Sequence, residues 1–339
     1  MKVLLLDCRL FSKKPTGISR FTDELIKYFD NKNNIKLVVL IYPWQKSLFL
    51  KYHQITTNSS PFRIWDILKL SLKLSFHNID FLFSPFYSSV FFNFKFKKIS
   101  CVMDLTYKML PCYFSNNKFI NYSKVLYLDF IVFFSLKNSY KIYSISKSTI
   151  NDLLNCFGYY SKLLYLGTNK LSSKSSPKQA FDVIPNEYYL YVGNNRINKN
   201  LDFLVSVYLN SKSNKKLVIA GCNIDANQSI INIVDPSDSD LYYLYENCFC
   251  FVFPSTYEGF GLPVLEALNF NKPILLSRTS SLLEFSVFNL NYFCPHKPIE
   301  LSSYFNDDTL LLLPENLHML SQFSWKNMSL TLNNTLFIQ

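Results

Sequence analysis

A chain of 339 residues exceeds one ordinary core and predicts about two domains. With 49% hydrophobic and 17% charged residues it is not a disordered chain, and its eight cysteines form no Cys-x-x-Cys pair or zinc-spaced cluster with the four histidines. The net charge of +11 is uneven: residues 1–180 carry 26 Lys and Arg against 9 Asp and Glu, and residues 181–339 carry 9 against 15. The basic half is either a solvated surface or the footprint of a partner such as nucleic acid, an anionic membrane face or a lipid phosphate.

In chain order, "MKVLLLDCRL" opens with an apolar run of four residues that meets Asp7, so it reads as a strand and not as a signal peptide. Scattered cysteines in such a chain are expected to be reduced and cytosolic. Helical spacing follows in 18–29, with Ile18, Phe21, Leu25 and Phe29 on one face. Strands are expected at 36–43, 79–85 and 99–104, a helix at 122–138, a strand at 141–146, and a helix closed by Gly158. The apolar stretch 125–136 is about half a membrane span and contains Asp129, as a buried or interfacial helix would. Residues 168–187 are rich in Ser, Lys, Asn and Pro and read as a linker. A second series then places strands at 188–193, 216–221, 250–255 and 273–277, and helices near 199–210, 239–247, 263–270 and 280–286. The alternation predicts two doubly wound α/β domains, with ligands outside the carboxyl ends of the strands.

Glycine is scarce: Gly17, Gly158, Gly167, Gly193, Gly221, Gly259 and Gly261 are the seven. Two of them fall in "YEGFGLPVLEAL" (257–268), where a strand gives way to a helix and Pro263 suits the first turn. Free N–H groups near Gly261 and Leu262 would suit a phosphate, and Gly259 and Gly261 would let backbone approach it. Glu258 on the loop and Glu266, expected in the first helical turn, could accept from sugar hydroxyls. The structural alternative for Glu266 is helix-dipole complementarity.

These residues carry a resemblance. The pair Glu258 and Glu266, eight positions apart, resembles the signature of family 4 retaining glycosyltransferases of the GT-B fold. "DCRLFSKKPTGISRFTDEL" (7–25), "YSISKSTINDLLNCFG" (143–158), "YVGNNRINKNLDFL" (191–204) and "FSW" (323–325) resemble other segments of that family, in order. The resemblance implies two Rossmann-like domains facing a cleft, with the C-terminal helix returning to the first. The boundaries are 1–170 for an acceptor domain, 171–187 for the linker, 188–322 for a nucleotide-sugar domain and 323–339 for the last helix. It further implies that Glu266 holds the donor ribose, that Glu258 contacts the donor sugar, and that Lys199, with help from Arg196, neutralises the diphosphate. Gly17 would let the first domain's loop close over the diphosphate, and Gly259, Phe260, Gly261 and Leu262 would cradle the donor. Asp104 is the remaining catalytic candidate, because Met103 stands where the family carries a His before that Asp.

The implied activity is transfer of a sugar, with retention, from a nucleoside diphosphate sugar to a saccharide acceptor. A polyprenyl diphosphate-linked acceptor at the inner face of a bacterial membrane, in O-antigen or capsule assembly, fits the basic first half by analogy. The remaining alternatives are a non-catalytic sugar-nucleotide binder, which Met103 would suit, and a nucleic-acid binder, for which no reader motif is present. No cofactor and no metal are expected. Asp238-Ser239-Asp240 has the spacing of a metal site but reads as a helix cap, supplied by Ser239 or Asp238. Ser280 or Ser281 with Glu284 likewise reads as a cap, with a donor contact as the alternative.

Overall fold

The structure, a computed structural model, describes residues 1–12, 16–93, 95–168, 183–225 and 228–336. Most of the expected linker, including 171–182, lies outside the described residues. The chain divides into two compact units, Met1–Leu166 with Met328–Gln339, and Gly167–Asn327.

Among the described residues, the first unit holds a seven-stranded parallel sheet: β1 (Lys2–Asp7), β2 (Ile35–Ile41), β3 (His53–Thr56), β4 (Phe81–Ser84), β5 (Lys97–Val102), β6 (Lys141–Ser144) and β7 (Lys162–Leu163). The order is β3-β2-β1-β4-β5-β6-β7, so the chain winds outward in both directions from β1 and β4. Continuous apolar runs form the central strands because both faces are covered. Leu4, Leu5 and Leu6 of β1 and Val39, Leu40 and Ile41 of β2 are buried.

The covering helices are α1 (Gly17–Asp30), α2 (Ile64–Ser75), α3 (Thr106–Met109), α4 (Lys118–Lys137) and α5 (Lys147–Phe157). Thr16 caps α1 by accepting from Ser19 N at 3.1 Å. Phe21, Leu25 and Phe29 are buried as the spacing predicts. Ile18 is only half-buried, with Ser19, Thr22 and Ile26 completing the face. Ser146 caps α5, and Gly158 ends it in the left-handed region at φ +71°.

The second unit repeats the plan with six parallel strands among the described residues: β8 (Tyr188–Val192), β9 (Lys216–Ala220), β10 (Ile230–Ile233), β11 (Cys250–Phe253), β12 (Ile274–Ser277) and β13 (Asn291–Phe293). Their order is β10-β9-β8-β11-β12-β13. Helices α6 (Leu201–Leu209), α7 (Asp238–Asn247), α8 (Leu262–Leu268) and α9 (Pro298–Asn306) cover it, and α10 (Trp325–Leu336) begins here and passes to the first unit from Met328. Aromatic side chains fill much of this core; Tyr189 meets Phe305 edge-on at 4.7 Å.

The cap of α7 differs from expectation. Ser237 is the N-cap, accepting from Asp240 N at 3.2 Å, while buried Asp240 reaches back to Ser237 N at 2.9 Å. The carboxylate two residues after Asp238 is therefore used in a capping box.

Candidate functional site

In the second unit the winding reverses between β8 and β11, and the two loops leaving their carboxyl ends meet there. Such a reversal opens a crevice, because successive connections depart to opposite sides. The loop after β8 runs through Gly193 to Asn200 and includes the 3-10 turn Ile197–Lys199. The loop after β11 runs from Pro254 to Gly261.

Lys199 and Glu258 come together across this point, 59 residues apart in sequence. Lys199 Nζ donates to Glu258 Oε1 at 2.7 Å, and the side chains are 13% and 12% exposed. The ammonium also lies 4.8 Å from the centre of the Phe253 ring. A half-buried cation is thus held at the switch point by a carboxylate that could release it to an anion.

The loops are stapled by side chains that sequence reasoning passed over. Asn198 is buried; its carbonyl accepts from Thr256 N at 2.8 Å, and its amide donates to Tyr257 O at 3.1 Å and to Glu258 Oε1 at 3.4 Å. Asn200 donates to Pro254 O at 3.3 Å and to Pro295 O at 3.1 Å. From the far side, Ser281 Oγ donates to Glu258 O at 2.9 Å and Phe260 O at 3.0 Å, and Ser280 Oγ accepts from Glu258 N at 3.1 Å. These serines were expected to cap a helix. Instead the N-cap of the 3-10 segment Ser280–Phe288 is Thr279, without a side-chain cap bond, and the serines hold the Glu258 loop.

Glu266 is not in the first turn of α8 but is its fifth residue, buried at 4% exposure. Its Oε2 accepts from the hydroxyl of buried Tyr245 at 3.1 Å. Gly261 is the N-cap at φ +119°. A Cβ there would stand 2.9 Å from Leu282 Cδ2 and 3.0 Å from Phe285 Cε2, so packing inside the unit demands the glycine as much as any ligand would. Phe260 is buried against Phe285 and Phe323. Leu262 opens α8, Gly259 precedes Phe260 on the loop, and Arg196 is exposed on the β8 loop.

Gly17 and Asp104 belong to the first unit. Gly17 is the first residue of α1, after β1. Asp104 follows β5, half-buried, and its Oδ1 accepts from Thr106 N at 2.9 Å. Met103 beside it is buried. The same unit sets a buried ion pair at the end of β1, where Arg9 Nη2 meets Asp7 Oδ2 at 2.6 Å and Arg9 Nη1 donates to Ser59 O at 2.9 Å. Asp7 and Arg9 of the segment 7–25 thus brace the loop leaving β1.

The sequence profile of the family "Glycosyl transferases group 1" matches residues 177–297, the stretch holding Lys199, Glu258 and Glu266. The chain carries a group 1 glycosyltransferase domain. The O-antigen chain mannosyltransferase B of Escherichia coli is 26% identical to it over 187 residues, which are 48% of this chain and 49% of that protein. The match thus spans about half the length of this curated relative. Sucrose-phosphate synthase from Thermosynechococcus elongatus superposes with a TM-score of 0.73 at 13% identity, over 99% of this chain and 98% of that one. HepE from Anabaena, in complex with UDP and glucose, gives 0.73 at 16% identity over 99% of each chain. The fold is that of the GT-B glycosyltransferases, and within the group 1 domain the family resemblance falls on the β8 and β11 loops just described.

Proposed function

We propose that the chain is a retaining glycosyltransferase that moves a sugar from a nucleoside diphosphate sugar to a saccharide acceptor in O-antigen assembly. The observation that carries this reading is the Lys199–Glu258 pair at the switch point of the group 1 domain. A departing nucleoside diphosphate gains charge as the glycosidic bond breaks, and a fixed ammonium stabilises that charge most where water is scarce. Lys199 takes this role, with exposed Arg196 as a second cation. Glu258 contacts the donor sugar, buried Glu266 holds the ribose, and Gly259, Phe260, Gly261 and Leu262 supply backbone around the diphosphate. Asp104 is the candidate on the first unit. No metal and no cofactor enter the scheme.

The HepE complex with UDP and glucose supports a nucleoside diphosphate sugar as donor class, and the name of the Escherichia coli relative supports a mannosyl donor and O-antigen synthesis. A lipid-linked acceptor at the inner face of the plasma membrane fits the basic first half. Melting temperature measured against uridine, guanosine and cytidine diphosphate sugars, mannosyl and glucosyl forms included, tests the donor. A ligand at about a hundred times its Kd stabilises by roughly 2.7 kcal/mol, a shift of several degrees. No response to any of them refutes the reading, and an inverted anomeric configuration by NMR refutes retention. A binder that catalyses no transfer is the second reading, which the buried Met103 favours; it requires a donor shift with no product.

A further inference from the structure

Helices α2 and α4 of the first unit expose a surface that the proposed chemistry does not use. In α4, Phe119, Tyr122, Leu126, Phe130 and Phe133 recur at three- and four-residue spacing, so they form one stripe, and all are exposed. Phe119 is 79% and Tyr122 62% exposed. The opposite face is apolar too: Leu128, Ile131, Val132 and Leu136 are buried together with Ile67 of α2. By length and composition α4 could cross a membrane, but this buried face commits it to the core of its unit.

Trp65 and Leu72 of α2, with Phe76 at its C-cap, make a second exposed row. Tyr127 of α4 ties the two helices together: its hydroxyl accepts from Ile64 N at 3.3 Å and donates to Phe62 O at 3.1 Å. An apolar face of this extent on a water-facing surface calls for an occupant.

The charges name it. Lys69 and Lys73 lie beside the α2 row, Lys118 and Lys137 stand four residues from Tyr122 and Phe133 of the α4 stripe, and all four are exposed. The acids of the two helices are Asp66 and Asp129, both half-buried and engaged. Asp66 accepts from Ser60 N at 3.1 Å, while Asp129 pairs with Lys108 and accepts from Tyr107 Oη at 2.8 Å. Aromatic side chains flanked by lysines suit a bilayer surface, where rings enter the headgroup layer and ammonium groups reach lipid phosphates. A second copy of the chain on the same face would set lysines against lysines.

We propose that the α2–α4 face docks on an anionic lipid bilayer, lying in its interface without crossing it. This deepens the lipid-linked-acceptor reading, but its test uses no sugar donor, so the two readings fail separately.

The test is co-sedimentation of the full chain with phosphatidylcholine vesicles containing about a third phosphatidylglycerol, against pure phosphatidylcholine. Each lysine near an anionic surface strengthens binding roughly fivefold, so a preference of at least about tenfold for the anionic vesicles is expected, and added salt should erode it. The combined substitution Trp65→Ser, Phe119→Ser and Tyr122→Ser should weaken binding to anionic vesicles about tenfold or more. The combined Lys69→Glu, Lys73→Glu and Lys137→Glu should abolish the preference. Circular dichroism melting of each variant checks folding, and the charge variant carries the test alone if the aromatic variant does not fold. Failure of the chain to bind vesicles overturns the proposal, as does binding unchanged in both variants. Sedimentation equilibrium showing a dimer broken by the aromatic substitutions, without vesicle binding, overturns it in favour of self-association.

Discussion

Substituting Glu258→Gln should tighten binding of a bare nucleoside diphosphate while abolishing sugar transfer. The ammonium assigned to the diphosphate is engaged by Glu258 Oε1 at 2.7 Å. At that distance, two unit charges under an effective dielectric constant near 20 attract by about 6 kcal/mol. Desolvation and competition from water offset most of this, and contacting charged pairs show measured couplings of about 0.5–3 kcal/mol. A residual of about 1.5 kcal/mol, lost when Glu258 becomes neutral, frees Lys199 for the phosphates and corresponds to roughly tenfold in Kd. Isothermal titration of UDP and GDP into wild type, Glu258→Gln, Lys199→Met and the double variant closes a cycle. Lys199→Met should weaken binding, and the gain from Glu258→Gln should vanish in its presence. If Glu258→Gln binds the diphosphate more weakly than wild type, or if its effect survives without Lys199, the pair does not gate the anion and the reasoning is wrong.

Three further outcomes are expected. Ser281→Ala removes the one hydroxyl donor shared by Glu258 O and Phe260 O. It should lower stability in urea unfolding by about 1 kcal/mol and reduce kcat more than it raises KM for donor, since the loop loses its buttress. Gly261→Ala meets both a left-handed φ of +119° and contacts at 2.9 and 3.0 Å, so a loss of about 2–4 kcal/mol in the same assay is expected; a loss below about 0.5 kcal/mol would count against the loop geometry. Lys98 is fully buried, donating to Val90 O at 2.8 Å and to Ser135 O, and burial pushes its pKa down to about 7 from an ordinary 10.5. The unfolded chain therefore binds more protons than the folded one between those two values, and stability should rise with pH across that window. Lys98→Met should flatten the rise when urea midpoints are compared at pH 7 and pH 9.

The strands at the centre of both sheets were legible because burial on two faces leaves an uninterrupted apolar run. The edges were not. β3, β7, β10 and β13 were missed, and each has a physical reason. β7 is two residues long, and β3 pairs only with β2 and needs few apolar side chains. In β10 and β13 an asparagine interrupts the run: Asn232 donates to Cys222 O at 2.7 Å, and Asn291, 4% exposed, donates to Ile274 O at 3.0 Å. Helix α2 was passed over because Trp65 and Leu72 put apolar residues on its solvent face and blurred the period. At the site, Glu258 and Glu266 were visible from their spacing, whereas Asn198 and Ser281 act only through partners that the fold brings from 59 and 23 residues away. A local pattern cannot announce a staple of that span.

The scarcity of glycine suggested that each one marks a special backbone position, and asparagine turns out to share that work. Among the described residues, positive φ occurs at Gly158, Gly221 and Gly261, but also at eight non-glycine residues, five of which are asparagines: Asn186, Asn200, Asn271, Asn289 and Asn316. Asparagine tolerates the left-handed region better than other residues bearing a Cβ, because its short amide can bond locally. Asn271 tests the substitution cleanly. It follows α8 at φ +51°, is exposed, and its N–H reaches Leu268 O at 3.4 Å, so its backbone geometry matters more than its side-chain packing. Asn271→Ala should cost about 1 kcal/mol, since alanine must enter the left-handed region without a compensating bond. Asn271→Gly should fall within a few tenths of a kcal/mol of wild type, since its conformational ease in the fold is offset by the greater freedom of the unfolded chain. Urea unfolding of the three proteins gives the order directly. Alanine as stable as asparagine would mean that this turn relaxes out of the left-handed region, and the account of asparagine standing in for glycine would fail at the position where it is least encumbered.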